Sequence, residues 1–158
     1  MHESHLAKLR HHPFVLEFEP HHIERLAALA RDVRFERDQV VFREGDDCSE
    51  FYLVVSGLLS LEIVAPGHVF RVQTLFAGDE LGWSALLMGS GKQFQARALE
   101  RVDAMAFEAA DLLAACREDP AFGFALMQRL LAVVAERLQA TRVQLLDMYS
   151  PVAARAGA

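Results

Sequence analysis

No stretch of the sequence approaches the 18 or more apolar residues of a membrane span, which predicts no membrane partner. The opening residues, MHESHLAKLRHH, are polar and lack the apolar centre of a signal peptide. Cysteine is scarce: Cys48 and Cys116 stand alone, without metal-ligand or redox spacing, and read as free thiols in a reducing cytoplasm. Positive charge is also short, with 16 Lys and Arg against 22 Asp and Glu and a net charge of −6. That balance argues against bulk electrostatic binding to nucleic acid or to an anionic membrane. No Ser or Cys nucleophile sits beside a His in a recognisable frame, and no HxH with a downstream Glu occurs in the strand-like regions, so no enzyme and no catalytic residue are expected. Two His pairs, His11-His12 and His21-His22, carry metal-ligating side chains. Adjacent positions on a helix point to different faces, however, and no metal is expected there.

What remains is 158 residues, 53% of them apolar, enough for one globular domain with a buried core. Glu19-Pro20 places a proline at a first helical position, and Ile23, Leu26, Ala27 and Ala30 recur on one face. From Arg31 the pattern turns to short alternating runs. Val33 and Phe35, Val40 to Phe42, Phe51 to Val55, Leu58 to Val64 and Val69 to Phe76 are separated by turns at Gly45, Gly57, Gly67 and Gly78. Phe94 to Leu99 and Val102 to Phe107 complete about eight strands, the spacing of a sandwich, barrel or jelly roll. The expected fold is therefore mainly β with flanking helices. Its parts are N-terminal helices over 1–31, a β roll over 32–107 and C-terminal helices over 108–149.

The last helix, Pro120 to about Tyr149, would run about 45 Å. Phe124, Met127, Leu131, Val134, Leu138, Thr141, Leu145 and Met148 follow a 3-4 spacing along it, the seam of a coiled coil. A second stripe, Leu126, Leu130 and Val133, is interrupted at Arg137. The first half of the helix should thus pack on its own β domain, and the whole length on a partner helix in a parallel homodimer.

The segment Gly78 to Glu100 carries the candidate site. A helical turn opening at Gly82 directs backbone N–H groups at one spot, with a dipole favouring negative charge. Gly89-Ser90-Gly91-Lys92 returns a cation towards it. The amides of Ser84 and Ala85 would face the anion. Strand alternation puts Lys92 on the inward face with Phe94, Ala96 and Ala98, and turns Gln93, Gln95 and Arg97 outwards.

The arrangement resembles a cyclic-nucleotide-binding domain of the catabolite activator type, from about Phe14 to Tyr149. Val41-Phe42-Arg43-Glu44-Gly45-Asp46 followed by Phe51 to Gly57 is similar to that family's glycine-bounded hairpin region. Gly78-Asp79 and Leu81-Gly82 resemble the approach to its phosphate cassette, here 78–98, and Ala135 to Thr141 resembles the dimer-helix portion that meets the base. The resemblance implies a jelly roll (double-stranded β-helix) followed by a dimerisation helix, acting as a cytoplasmic bacterial signal-transduction domain with cAMP or cGMP as ligand. It implies ligand contacts at Gly82, Trp83, Ser84, Ala85, Lys92 or Gln93, Thr141 and the partner-reaching Arg142. Where the family places a Glu on the ribose 2′-hydroxyl, this chain has Trp83, and an indole cannot accept that hydrogen bond. Where the family pairs an Arg with the phosphate, this chain has Lys92 or Gln93. The alternative for Thr141 is a polar register-setter of the coiled coil.

Only nine residues follow Tyr149, so no helix-turn-helix, and hence no DNA, is expected. The leading reading is a stand-alone dimeric sensor acting on an unidentified protein partner. The alternatives are an interaction module that has lost nucleotide binding, and a sensor of another anionic small molecule.

Overall fold

The computed structural model describes residues 2–47, 49–87 and 94–149. The chain divides into two compact units, Met1–Gly123 and Phe124–Ala158.

The first unit opens with α1 (His2–Arg10), a short 3-10 turn (Pro13–Val15) and α2 (Pro20–Leu29), with Pro20 in the first turn as anticipated. Eight strands follow: β1 (Arg31–Phe35), β2 (Val40–Phe42), β3 (Glu50–Ser56), β4 (Leu59–Ala65), β5 (His68–Leu75), β6 (Glu80–Leu81), β7 (Gln95–Ala98) and β8 (Val102–Glu108). A second 3-10 turn (Trp83–Leu86) lies between β6 and β7, and α3 (Ala109–Glu118) follows β8. The strands form two antiparallel four-stranded sheets, ordered β1-β8-β3-β6 and β2-β7-β4-β5. This is a jelly roll, and all its strands but the two-residue β6 match the alternating runs of the sequence to within a residue or two, the usual uncertainty of element ends.

Strand alternation builds two apolar layers. Tyr52, Val54, Ala104 and Ala106 from the first sheet meet Leu59, Leu61, Ala96 and Ala98 from the second, and Phe35, Phe42 and Phe94 pack against them. On the other face of the first sheet, Phe51, Leu53, Met105 and Phe107 are fully buried. Phe14 covers Phe51 with ring centroids 5.4 Å apart, and Phe51 reaches Phe107 at 6.2 Å. Small residues at Ala96, Ala98, Ala104 and Ala106 allow the two sheets to approach.

The second sheet's outer face adds to one expectation. Gln95, expected to look outwards, does lie opposite Ala96, and only 4% of it is exposed. Cross-strand register sets Glu62 against Gln95 and Ser60 against Arg97. The Glu62 carboxylate accepts from Gln95 Nε2 at 3.0 Å, Ser60 Oγ at 2.9 Å and Arg97 Nε at 3.2 Å. Arg43 reaches Gln95 Oε1 at 3.4 Å, and Arg97 also reaches the Asp38 carbonyl at 3.3 Å. The outward face is closed by its own polar side chains. A glutamate at an outward strand position directly across from a glutamine was the signal available in the sequence.

Burial alone would raise the Glu62 pKa, but hydrogen bonds from Gln95, Ser60 and Arg97 outweigh it and hold the carboxyl below its ordinary 4.5. A depressed folded pKa adds stability above the unfolded value, and that stability is lost as pH falls through the folded value. The melting temperature of wild type should therefore fall more steeply than that of Glu62→Gln between about pH 5 and pH 3. Parallel slopes would remove Glu62 from the acid response.

The second unit holds most of α4 (Pro120–Tyr149), which has the predicted bounds. Along it Leu126, Leu130 and Val133 are buried, while the seam residues Phe124, Leu131, Leu138, Leu145 and Met148 are 51–77% exposed. Met127 and Val134 are half-buried. Beyond Val134 no residue of the helix is buried, so the buried stripe stops where Arg137 interrupts it.

Candidate ligand site

The approach to the site is a tight turn fixed by the backbone. Asp79 folds back to accept from the Phe76 N–H at 2.8 Å, a side-chain-to-backbone contact that shapes the chain before β6. The Gly78 N–H donates to the Val54 carbonyl and the Val54 N–H to the Asp79 carbonyl, both at 2.9 Å. Gly78 sits at φ 95°, and a Cβ there would meet Pro13 Cγ at 3.0 Å, so both the turn and its packing on the N-terminal segment require glycine. β6 then pairs with β3, setting Leu81 against Tyr52.

Gly82 is the pivot. Its φ of 79° and ψ of 23° lie in the left-handed region, where a side chain costs about 1–2 kcal/mol. That reversal lifts the chain off the sheet and starts the 3-10 turn Trp83–Leu86. Leu86 is buried and anchors the turn, while Trp83, Ser84 and Ala85 are half-buried.

One expected donor is otherwise engaged. The Ala85 N–H, expected to face an anion, donates to the Gly82 carbonyl at 3.0 Å, and the Leu87 N–H closes on Ser84 at 3.1 Å. An i to i+3 turn satisfies its third amide internally, where an α-helical turn would leave it open. Lys92 and Gln93 lie outside the described residues.

Two buried polar groups near this segment are not anticipated by the sequence. Tyr52, 7% exposed, packs edge-on against Phe35 at 5.8 Å and donates its hydroxyl to Glu50 Oε2 at 2.6 Å. Glu50 in turn pairs with Arg31. Burial first, and the Glu50 carboxylate second, push the Tyr52 phenol well above its ordinary range, so it stays a neutral donor.

His12 is the second such group. Its Nδ1 accepts from the Phe14 N–H at 3.2 Å, which places the proton on Nε2, and Nε2 donates to the Val54 carbonyl at 3.0 Å. That carbonyl also receives the Gly78 N–H, so one buried imidazole ties the N-terminal segment to the turn leading to Gly82. Pro13 at a first helical position was the sequence signal for a helix start there, which makes His12 its cap. In α4, Thr141 and Arg142 are exposed, and the Thr141 hydroxyl donates to the Arg137 carbonyl at 2.9 Å, one turn back on its own helix.

The expectation that neighbouring histidines diverge fails at His21-His22, whose ring centroids lie 4.1 Å apart. They occupy the first turn of α2, where no preceding helical turn restricts the side-chain rotamers.

Comparison with known proteins agrees with this architecture. The cyclic nucleotide-binding domain family matches residues 32–119, from β1 to the end of α3. A cyclic nucleotide-binding domain from Methylobacillus flagellatus KT superposes with a TM-score of 0.84 at 16% identity, covering 92% of this chain and 84% of that one. The catabolite activator protein of Thermus thermophilus gives 0.72 at 24% identity, over 87% of this chain and 63% of that one. A regulatory subunit of a cAMP-independent protein kinase A from Trypanosoma brucei gives 0.69 at 17% identity, over 87% of this chain and 46% of that one. No curated protein matches the sequence. With more than half of its length matched and the same jelly roll throughout, the chain belongs to the cyclic nucleotide-binding domain family.

Proposed function

We propose that the chain is a cytoplasmic, non-catalytic regulatory sensor that forms a parallel homodimer through α4, reads a phosphorylated small molecule at the turn after Gly82 and acts on a protein partner. The observation that carries this reading is the family match over residues 32–119 together with the left-handed Gly82, the 3-10 turn that it opens and Trp83 directly after the glycine. Lys92 supplies the positive charge, as a point charge without the two-pronged fork of Arg. The Ser84 amide is the backbone donor. Trp83 stands where the resemblance places a ribose-binding carboxylate, so the phosphate-reading half of the cassette outlives the sugar-reading half. The same fold also occurs in the regulatory subunit of a cAMP-independent protein kinase A from Trypanosoma brucei.

A thermal-shift series with phosphate, sulfate, mononucleotides and cyclic nucleotides tests the reading. A ligand at 100 times its dissociation constant adds about 2.7 kcal/mol, a rise of roughly 5–10 °C for a domain of this size. The rise should appear in wild type and vanish in Lys92→Ala, with the ranking naming the ligand class. A flat response to every anion favours the second reading, an interaction module in which Trp83 has replaced the ligand.

A further inference from the structure

We propose that Glu19, His21 and His22, at the start of α2, form a binding site for a divalent transition-metal ion of the zinc type. One ligating atom from each of the three side chains lies within 4.8 Å of the other two. His21 Nδ1 stands 3.4 Å from Glu19 Oε2, and the two imidazole rings are 4.1 Å apart. Donors around a tetrahedral zinc with bonds near 2.05 Å sit roughly 3.3 Å from one another, so small side-chain rotations bring this set to bonding distance.

The independent sign is His22 itself. It is only 5% exposed, yet neither Nδ1 nor Nε2 has a hydrogen-bond partner. A neutral imidazole has one donor and one acceptor nitrogen, and burying both without partners is costly. The ring is held instead by an edge contact to the buried Phe122 at 5.9 Å. A metal bond satisfies the acceptor nitrogen without moving the ring out of that contact. His21 and Glu19, with side chains 61% and 71% exposed, can close over an ion at the surface rim. Two imidazoles and one carboxylate suit zinc and its neighbours rather than calcium or magnesium, and a water would complete four-coordination. The site shares no residue with the turn at Gly82 and does not depend on nucleotide binding.

Calorimetric titration of Zn2+ into untagged, chelator-stripped protein tests the proposal. Wild type should bind one equivalent with micromolar or tighter affinity, and Glu19→Gln and His21→Ala should each weaken binding at least about tenfold. Both substituted side chains are exposed, so their melting temperatures in chelator should equal that of wild type, which separates lost ligation from lost folding. No binding by wild type at micromolar Zn2+, or binding undiminished in both variants, overturns the site.

Discussion

Leu138→Asp and Leu145→Asp are each expected to convert a micromolar dimer into a monomer in sedimentation velocity. Both leucines are about half exposed in the single chain, Leu138 at 53% and Leu145 at 51%, and they continue a line that includes Leu131 at 70% and Met148 at 77%. Burying a leucine side chain contributes about 1.5–3 kcal/mol, and a two-fold interface loses that from both copies. A carboxylate in the seam adds a desolvation cost and, in a parallel pair, faces its own copy. A loss of about 4 kcal/mol corresponds to roughly a thousandfold weaker association. A monomeric wild type, or variants that both stay dimeric, would show that the exposed line serves another purpose.

The division between this line and the buried stripe was legible from spacing alone. Leu126, Leu130 and Val133 are buried and their stripe ends at Arg137, as the 3.6-residue periodicity requires. The mainly β class was equally plain from the glycine-bounded alternating runs, while the choice of a jelly roll over a sandwich or barrel came from the family resemblance. Side-chain networks were harder to read. Gln95 was assigned to the correct face, but its burial depends on Glu62 and Ser60, some 35 residues earlier and brought alongside only by β4 and β7. The same holds for His12, whose role depends on the Val54 carbonyl. The His21-His22 contact defeated a rule for helix interiors because it lies at a helix start. The Ala85 amide depended on whether the turn after Gly82 was α or 3-10, a difference that spacing does not encode.

Trp83→Glu is expected to tighten cyclic-nucleotide binding about ten- to hundredfold. A charged hydrogen bond to the ribose hydroxyl contributes about 1.5–3 kcal/mol when made, and a buried hydroxyl left unpaired forfeits a similar amount. Trp83 directly follows the left-handed Gly82, so a glutamate in its place inherits the backbone geometry without remodelling the turn. Trp83→Gln serves as the control, since it shortens the side chain without the charge and should regain less. If Trp83→Glu binds more weakly than wild type, the indole is stacking on the ligand and the site reads its base instead of its sugar.

The central claim, that the phosphate-reading turn persists without its sugar-reading carboxylate, is met most directly by calorimetric titration of cAMP and cGMP into the wild-type protein. The expected dissociation constants lie above about 1 µM for both nucleotides, because one charged hydrogen bond is missing. A submicromolar constant for either nucleotide would contradict the account.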